Sequence, residues 1–505
     1  MNITFKEHYR KPIQYILGIL SIIYLSFVCI YSVDQFDLGF IPSIVGRLQQ
    51  GQEMYKDFDY IRPFFTLIFW DSLLKWIPAS SAYFILICRI LFVIQCFATT
   101  LIFQKLLFDK IRYEISFLFV ICFMHVFPIM PWHTVDGIFF GAISLYFYKR
   151  KWLLSTLVFL GITALTKQSF FIFSFGLSLF VFRDLFIKRT LIRKDIIVSG
   201  ISFLLLIFAL FQYHIIENFA AFWNLVFNTS IASSFYDSSI APYLFSSKWQ
   251  SALLIAGLVS IYFIKVKKEI FEYILLILFP VLIIYPLFNN GGYTGINTLF
   301  LLLAVLFLKY NPHEKNVFFL LFLGWTSTIS WGANTPTFFV FILMIKFLED
   351  KTRFFWGLWL VSLSSFLLIR LNYPYFSESI FSTRYVFAKD IPAVSGLLMS
   401  EKEYEYIKES ENLEKEYPNI IFLPGSPLLD VVNGKYLDRA SWEMDVEYPK
   451  WKTDLPKLDA NIFAVDEKKF TLFKDGFYKS SFTVEVMKKK KIIKKTKYFV
   501  IYGNN

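Results

Sequence analysis

Four aspartates crowd one short stretch, YSVDQFDLGFIPSIVGRLQQGQEMYKDFDY, which runs from residue 31 to residue 60 just after the first long apolar run. They are Asp34, Asp37, Asp57 and Asp59. A carboxylate at the edge of a low-dielectric region is penalised in its charged form, and this raises its basicity. That is the property a general base needs to take a proton from an alcohol or amine nucleophile. For any one of them the bland alternative is a helix cap or a solvated loop charge. The combination D-x-x-D-x-G, then G-Q-x-x-Y-x-D-F, then a Pro-led helix, points beyond capping alone.

Cations are the natural complement to such a base wherever a negatively charged leaving group must be stabilised. Lys167 sits in the turn TKQS with Gln168 beside it, between two apolar runs; a surface lysine at a hairpin tip is its plain alternative. Arg62 directly precedes Pro63. Arg89 falls roughly nine residues into an apolar run, where a guanidinium is costly and faces a bundle interior or a cavity. Its alternatives are snorkelling and a structural ion pair. Asp136 opens another apolar run beside Trp132 and His133, either as a helix cap or to position an acceptor or a metal. Asp57 and Asp59 are candidates for a divalent cation or acceptor hydroxyls, with a turn role equally open to Asp59. His125 and His133 form a pair without a third ligand, a weak signal for metal. No P-loop or G-x-G-x-x-G is present, which argues against a nucleotide-sugar donor.

The elements that must hold these residues are membrane spans. Of 505 residues, 56% are hydrophobic, 62 are Phe and only 18% are charged. A soluble domain carries nearer about 25% charged residues. Apolar runs lie near 13–33, 82–104, 114–131, 137–148, 152–166, 169–182, 196–215, 250–264, 270–288, 296–308, 316–332, 336–348 and 354–370, so about thirteen spans are expected. No small-x-small cleavage site follows the first run, which reads as a retained span. All four cysteines fall in apolar runs and say nothing about redox compartment.

The net charge of +12 raises nucleic acid as a partner, but the charges alternate by loop. Lys/Arg-rich loops at 105–112, 149–151, 183–194, 265–268, 309–315 and 346–353 fall on the side of the basic N-terminus. The loops at 34–80, 132–136, 167–168, 216–248, 289–295 and 333–335 carry few basic residues. The positive-inside rule then puts the N-terminus in the cytoplasm and the C-terminus outside. Much of the positive charge is a topological signal, and nucleic-acid binding has no support.

Within the loop 34–80, Leu38, Ile41, Val45 and Leu48 are at helical spacing, and Gly51 supplies a stop. Pro63 opens a second helix, Phe64 to Trp76, ended by Pro78. Two short amphipathic helices lying along the membrane interface are expected there. After Arg370 the composition shifts, with about half of all acidic residues in 371–505. EKEYEYIKESENLEKEY reads as an exposed helix, while NIIFLPGSPLLDVV, NIFAVDE and KYFVIY have short strand character. The reading is a transmembrane domain, 1–370, followed by a small extracytoplasmic α/β domain, 371–505. KKKKIIKK (488–495) reads as a solvated or headgroup-facing edge.

DQFDLGF followed by GQEMYKDFDYIRP resembles the first outer loop of the GT-C membrane glycosyltransferases, closest to the bacterial set that includes protein mannosyltransferases, aminoarabinose transferases and rhizobial galacturonosyltransferases. LLSTLVFLGITALTKQSFFIF (153–173) is similar to their hydrophobic hairpin closing on Thr-Lys-Gln. HTVDGIFFGAISLYFYKRKW (133–152) is similar to the Asp-led span before that hairpin. The resemblance covers roughly residues 10–350. It implies a GT-C fold, with interfacial helices in the first outer loop of an all-α polytopic membrane protein. It also implies inverting transfer of a sugar from a polyprenyl-phosphate donor to a lipid, glycan or protein acceptor on the outer face of a bacterial plasma membrane. The family's catalytic acidic residue maps onto Asp37. This chain departs in having Leu38 where the family's second acidic residue stands, with Asp34 three residues earlier. That leaves the base open between Asp34 and Asp37 and argues against the protein-mannosyltransferase branch. Donor phosphate binding then falls to Lys167, Arg62, Arg89 and Gln168; acceptor or metal contacts fall to Asp57, Asp59, Asp136 and His133. A divalent metal ion is the one cofactor left open. Two rivals are an O-antigen-type polymerase or ligase and a transporter or flippase of lipid-linked precursors. The loop 216–248 has no arginine, against the first, and no internal repeat supports the second.

Overall fold

The computed structural model describes residues 7–35, 37–188, 192–227, 248–263, 267–293, 296–310, 314–329, 335–349, 354–436, 461–473 and 481–504. Each of the thirteen apolar runs holds one helix. They are α1 (Glu7–Ile30), α4 (Phe84–Phe108), α5 (Tyr113–Val126), α6 (His133–Lys149), α7 (Leu153–Ala164), α8 (Phe170–Lys188), α9 (Arg193–Gln212), α11 (Lys248–Phe263), α12 (Lys268–Phe288), α13 (Asn297–Tyr310), α14 (Lys315–Thr328), α15 (Thr335–Phe347) and α16 (Phe355–Asn372). Six of them, α1, α4, α8, α9, α12 and α16, are long and apolar enough to cross a membrane. The chain is therefore a mostly helical, polytopic membrane protein with a small sheet region.

Helix surroundings differ in a way that only a lipid solvent explains. On α15, Phe338 to Ile345 are all buried, so this helix is apolar on every side because protein surrounds it. On α9, Ile201, Leu204, Leu205, Phe208 and Phe211 are exposed. A face of that size would be penalised in water and is at home against acyl chains. α6 packs on α4 and α7, and α7 on α8 and α9, which brings the start of α6 beside the α7–α8 turn.

Between α1 and α4 lie α2 (Phe40–Gln49) and α3 (Phe65–Leu74), as the punctuation by Gly51 and Pro63 predicts. Gly51 adopts φ +81°, the left-handed region that ends α2. α3 keeps an exposed edge at Ser72 and Leu73 opposite its buried face, as a helix lying on an interface would, but α2 departs from that expectation. Every residue of α2 from Ile41 to Arg47 is buried, Arg47 included. The cover is α18 (Pro427–Asn433) of the C-terminal unit, which packs across α2. A short α10 (Phe219–Phe227) follows α9; the rest of the loop 216–248, from 228 to 247, is outside the described residues.

The C-terminal unit begins with a hairpin of β1 (Tyr385–Phe387) and β2 (Leu398–Ser400). The predicted exposed helix follows as α17 (Glu401–Glu416), opened by a capping box in which Ser400 and Glu403 satisfy each other's backbone N–H groups. A four-stranded sheet of order β3-β4-β6-β5 is built from β3 (Ile421–Leu423), β4 (Phe463–Val465), β5 (Lys491–Lys495) and β6 (Val500–Gly503). The PLLDVV part of the first predicted strand is instead α18: Pro427 occupies the opening turn, where a missing N–H costs nothing. α19 (Glu467–Phe473) and α20 (Ser481–Lys489) complete the unit. β5 is the sheet edge and fully exposed, so its lysines are solvated and blunt an otherwise pairing-prone strand.

Candidate functional site

The turn before α2 separates its two aspartates. Asp34 is buried, and its Oδ2 accepts from the backbone N–H of Asp37 at 2.7 Å and of Leu38 at 2.9 Å. It shapes the turn. Asp37 is half-buried, and its Oδ2 accepts from the Tyr375 hydroxyl at 2.7 Å. Burial raises the Asp37 carboxyl above its ordinary range; the Tyr375 hydrogen bond and the charges of Arg62 and Lys469 oppose that shift.

Arg62 is the hub of the cations that the sequence singles out. It lies within electrostatic range of Asp37, Lys167 and His133. Its segment is pinned from both sides: the Tyr55 hydroxyl donates to Arg62 O at 2.8 Å, and Gln168 Nε2 donates to Ile61 O at 2.6 Å. Gln168 thus positions the backbone next to Arg62. Lys167, only 2% exposed, donates through Nζ to Thr134 Oγ1 at 3.1 Å and Ser327 O at 3.4 Å. Burial pushes its amine well below the ordinary lysine range, and the Arg62 charge pushes the same way. His133 is buried between Phe40, at 5.4 Å, and Tyr60, at 5.9 Å between ring centroids, and hydrogen-bonds the Tyr60 hydroxyl. Asp37, Arg62, Lys167 and His133 therefore belong to one neighbourhood, drawn from four chain segments.

Arg89 is placed differently from the phosphate ligand that the sequence suggests. Its guanidinium donates to the carbonyls of Cys29 and Tyr31 at 3.2 Å and Ser32 at 2.7 Å. Cys29 lies in the last turn of α1, and Tyr31 and Ser32 directly follow it, so Arg89 caps the end of that helix. Arg370 does the same for α5, donating to the carbonyls of Met124 and Phe127. Between the two arginines lies a cavity of about 30 Å³, also lined by Asp34 and Tyr375. It has room for water.

The remaining candidates are held by structural partners. Asp136 is fully buried; both its oxygens accept from Trp70 Nε1 at 3.2 Å, and Oδ1 accepts from Gln95 Nε2 at 2.7 Å. It ties α3 and α4 to α6. Asp57 Oδ2 accepts the Glu53 N–H at 2.7 Å and so closes a turn, while Asp59 is buried. His125 stacks on Phe366 and pairs with the Tyr293 hydroxyl at 3.1 Å. Among the described residues no group of three or more His, Cys, Asp or Glu is placed to hold a metal ion. The donor set offered for a metal, Asp57, Asp59, Asp136 and His133, does not fit one. In the loop NNGGYTGIN (289–297) Tyr293 is buried, and residues 330–334 lie outside the described residues.

Tyr375 and Lys469 are the site residues that sequence reasoning missed. Tyr375 stands in LNYPYF directly after α16, where aromatic and Pro residues read as an ordinary span end. Lys469 is one of many lysines in an acidic and basic segment. Comparison of the chain with known protein families, curated proteins and solved structures finds no match.

Proposed function

We propose that this chain is a GT-C-type glycosyltransferase that moves a sugar from a polyprenyl-phosphate carrier to a hydroxyl or amine of a lipid, glycan or protein acceptor. In this reading the thirteen apolar helices are spans, the N-terminus is cytoplasmic, and the acidic loop and the α/β unit face outward at the bacterial plasma membrane. One observation carries it: a half-buried carboxylate of raised basicity, Asp37, shares its neighbourhood with Arg62 and Lys167 at the end of a lipid-exposed helical bundle.

The chemistry follows from those three side chains. Asp37 accepts the proton of the acceptor O–H or N–H as the acceptor atom attacks the anomeric carbon. The bond from that carbon to the phosphate oxygen breaks, the electron pair leaves with polyprenyl phosphate, and the configuration inverts. Arg62 stabilises the negative charge that develops on the phosphate. Lys167 is held with a lowered proton affinity by burial, and an arriving phosphate reverses that effect by favouring the ammonium form. Asp34, whose Oδ2 is committed to two backbone N–H groups, is the weaker candidate for base.

The test is transfer by the purified chain in lipid, offered a panel of polyprenyl-phosphate hexoses and pentoses and read as released polyprenyl phosphate. Asp37→Asn should lower transfer by about 10²–10⁴-fold, the range for loss of a general base. Asp34→Asn, which keeps an acceptor oxygen for the turn, should retain most activity. Undiminished transfer in both variants would overturn the mechanism.

A further inference from the structure

The acidic loop is closed by residues more than three hundred positions away. Ser32 N–H donates to Leu398 O at 2.8 Å, and Tyr83 N–H to Pro392 O at 2.9 Å, so the β1–β2 hairpin is fastened on one side of the loop. On the other side α18 lies on α2, where Arg47 faces Asp430 at 3.8 Å and Tyr436 stacks near its guanidinium at 5.8 Å. The contact is backbone against backbone at Gly39, two residues beyond Asp37 and beside Pro427 and Leu428. Lys469 of α19 braces the same corner: it is 3% exposed and donates to Gly425 O at 2.6 Å and Ser426 Oγ at 3.0 Å, directly before Pro427. Tyr375 reaches Asp37 itself.

We propose that Tyr375 and Lys469 are positioning residues for Asp37, the first through its hydrogen bond and the second by bracing the corner packed on Gly39, so that the C-terminal unit is a working part of the site. The groups that face Asp37 come from every side. Asp34 on its own turn is a like charge already bound to backbone N–H groups; Arg62 before α3, Tyr375 after α16 and Lys469 on α19 all favour the carboxylate. Burial works against them. A base that is too strongly buried is protonated before the acceptor arrives, and one that is fully solvated is too weak to help. The tyrosine hydroxyl resolves this conflict by stabilising the anion in one orientation without bringing water. Lys469 adds a fixed positive charge that is itself anchored to the corner contacting Gly39. The catalytic consequence rests on the transferase reading above, whereas the protonation of Asp37 does not.

Labelling with dicyclohexylcarbodiimide, which modifies protonated carboxyls, reads that protonation directly. The full chain in lipid is labelled across a pH series, and the peptide holding Asp37 is quantified by mass spectrometry. Tyr375→Phe removes one hydroxyl and should move the half-labelling pH of Asp37 upward by about one unit, the size expected for a hydrogen bond to a charged group. Lys469→Gln should move it in the same direction, and Lys469→Arg, which keeps the charge, should leave it near the parent value. A half-labelling pH that stays put or falls in Tyr375→Phe, or in Lys469→Gln with unchanged elution of the folded chain, overturns the assignment. If the chain transfers no sugar at all, these shifts are still expected, so the two failures are distinguishable.

Discussion

Replacing Gly39 with alanine offers a test whose sign depends on one contact. Gly39 has φ −82° and ψ −7°, a conformation any residue adopts, so glycine is not required there by the backbone. On conformational grounds alone Gly39→Ala should stabilise by about 0.4–1 kcal/mol through the unfolded chain. Space argues the opposite. A Cβ at Gly39 would lie 2.1 Å from Leu428 N, 2.4 Å from Leu428 Cα and 2.5 Å from Pro427 C. All three are backbone atoms, so no side chain can rotate away. Reaching even a tight 3.4 Å contact moves α18 off α2 by 1.3 Å, the difference between 3.4 and 2.1 Å. Overpacking that side chains absorb costs about 1–3 kcal/mol, and a shift of helix backbone belongs at the upper end. About 3 kcal/mol corresponds to roughly a hundredfold larger open fraction at the α2–α18 contact. Hydrogen exchange read by mass spectrometry should show protection of the α2 and α18 peptides falling by that order, with α4 and α6 peptides unchanged. Gly161→Ala is the control, because nothing lies within 4 Å of its added methyl. If Gly39→Ala protects α18 as well as the parent does, the close backbone approach and the closure it implies are wrong.

Two further outcomes follow from buried carboxyls. Asp136→Ala leaves the Trp70 indole N–H and the Gln95 amide without their acceptor, at about 1–3 kcal/mol for each orphaned group; a thermal midpoint in detergent no lower than the parent's would remove Asp136 as the tie between α3, α4 and α6. Glu403 is pushed up to about 7 by burial, against the hydrogen bonds from the Ser400 cap and Ser377. A carboxyl raised in the folded state binds its proton more tightly there, so its contribution to stability is present below about pH 4.5 and is lost as pH rises through about 7. The melting temperature of the parent should decline across that window and that of Glu403→Gln should not; parallel curves would contradict the burial argument.

What could be read from the sequence was what acts over a few neighbouring residues. The thirteen apolar runs became thirteen helices because length and composition suffice for a chain in lipid. Gly51 and Pro63 fixed the limits of α2 and α3 through local backbone chemistry. Arg62, Lys167 and the loop aspartates were visible as charges at span ends, where few are tolerated. Hidden from the sequence was everything decided by distant partners. Arg47 reads as the polar face of an interfacial helix, yet it is fully buried against Asp430 and Tyr436. Asp57 holds a turn because the backbone N–H of Glu53, four residues earlier, faces its carboxylate. Arg89 looks like a ligand for phosphate until three carbonyls at and just past the end of α1 are found in its way. PLLDVV has strand composition, but a proline in its opening turn and the surface of α2 beneath it favour a helix.

The hydrogen bond between Tyr375 and Asp37 spans 338 positions, and it sets a timetable as well as a geometry. At about 5–20 residues per second, a ribosome needs roughly 20–70 s to go from the first of these residues to the second. Throughout that interval the first acidic loop has left the synthesis machinery without its tyrosine, its lysine or its covering helix. A chain broken off anywhere between the end of that loop and α16 carries every acidic residue of the loop and lacks Tyr375, Lys469 and α18. On the proposed mechanism incomplete products are inert by construction, and the site becomes competent only once the segment carrying Tyr375 and Lys469 arrives.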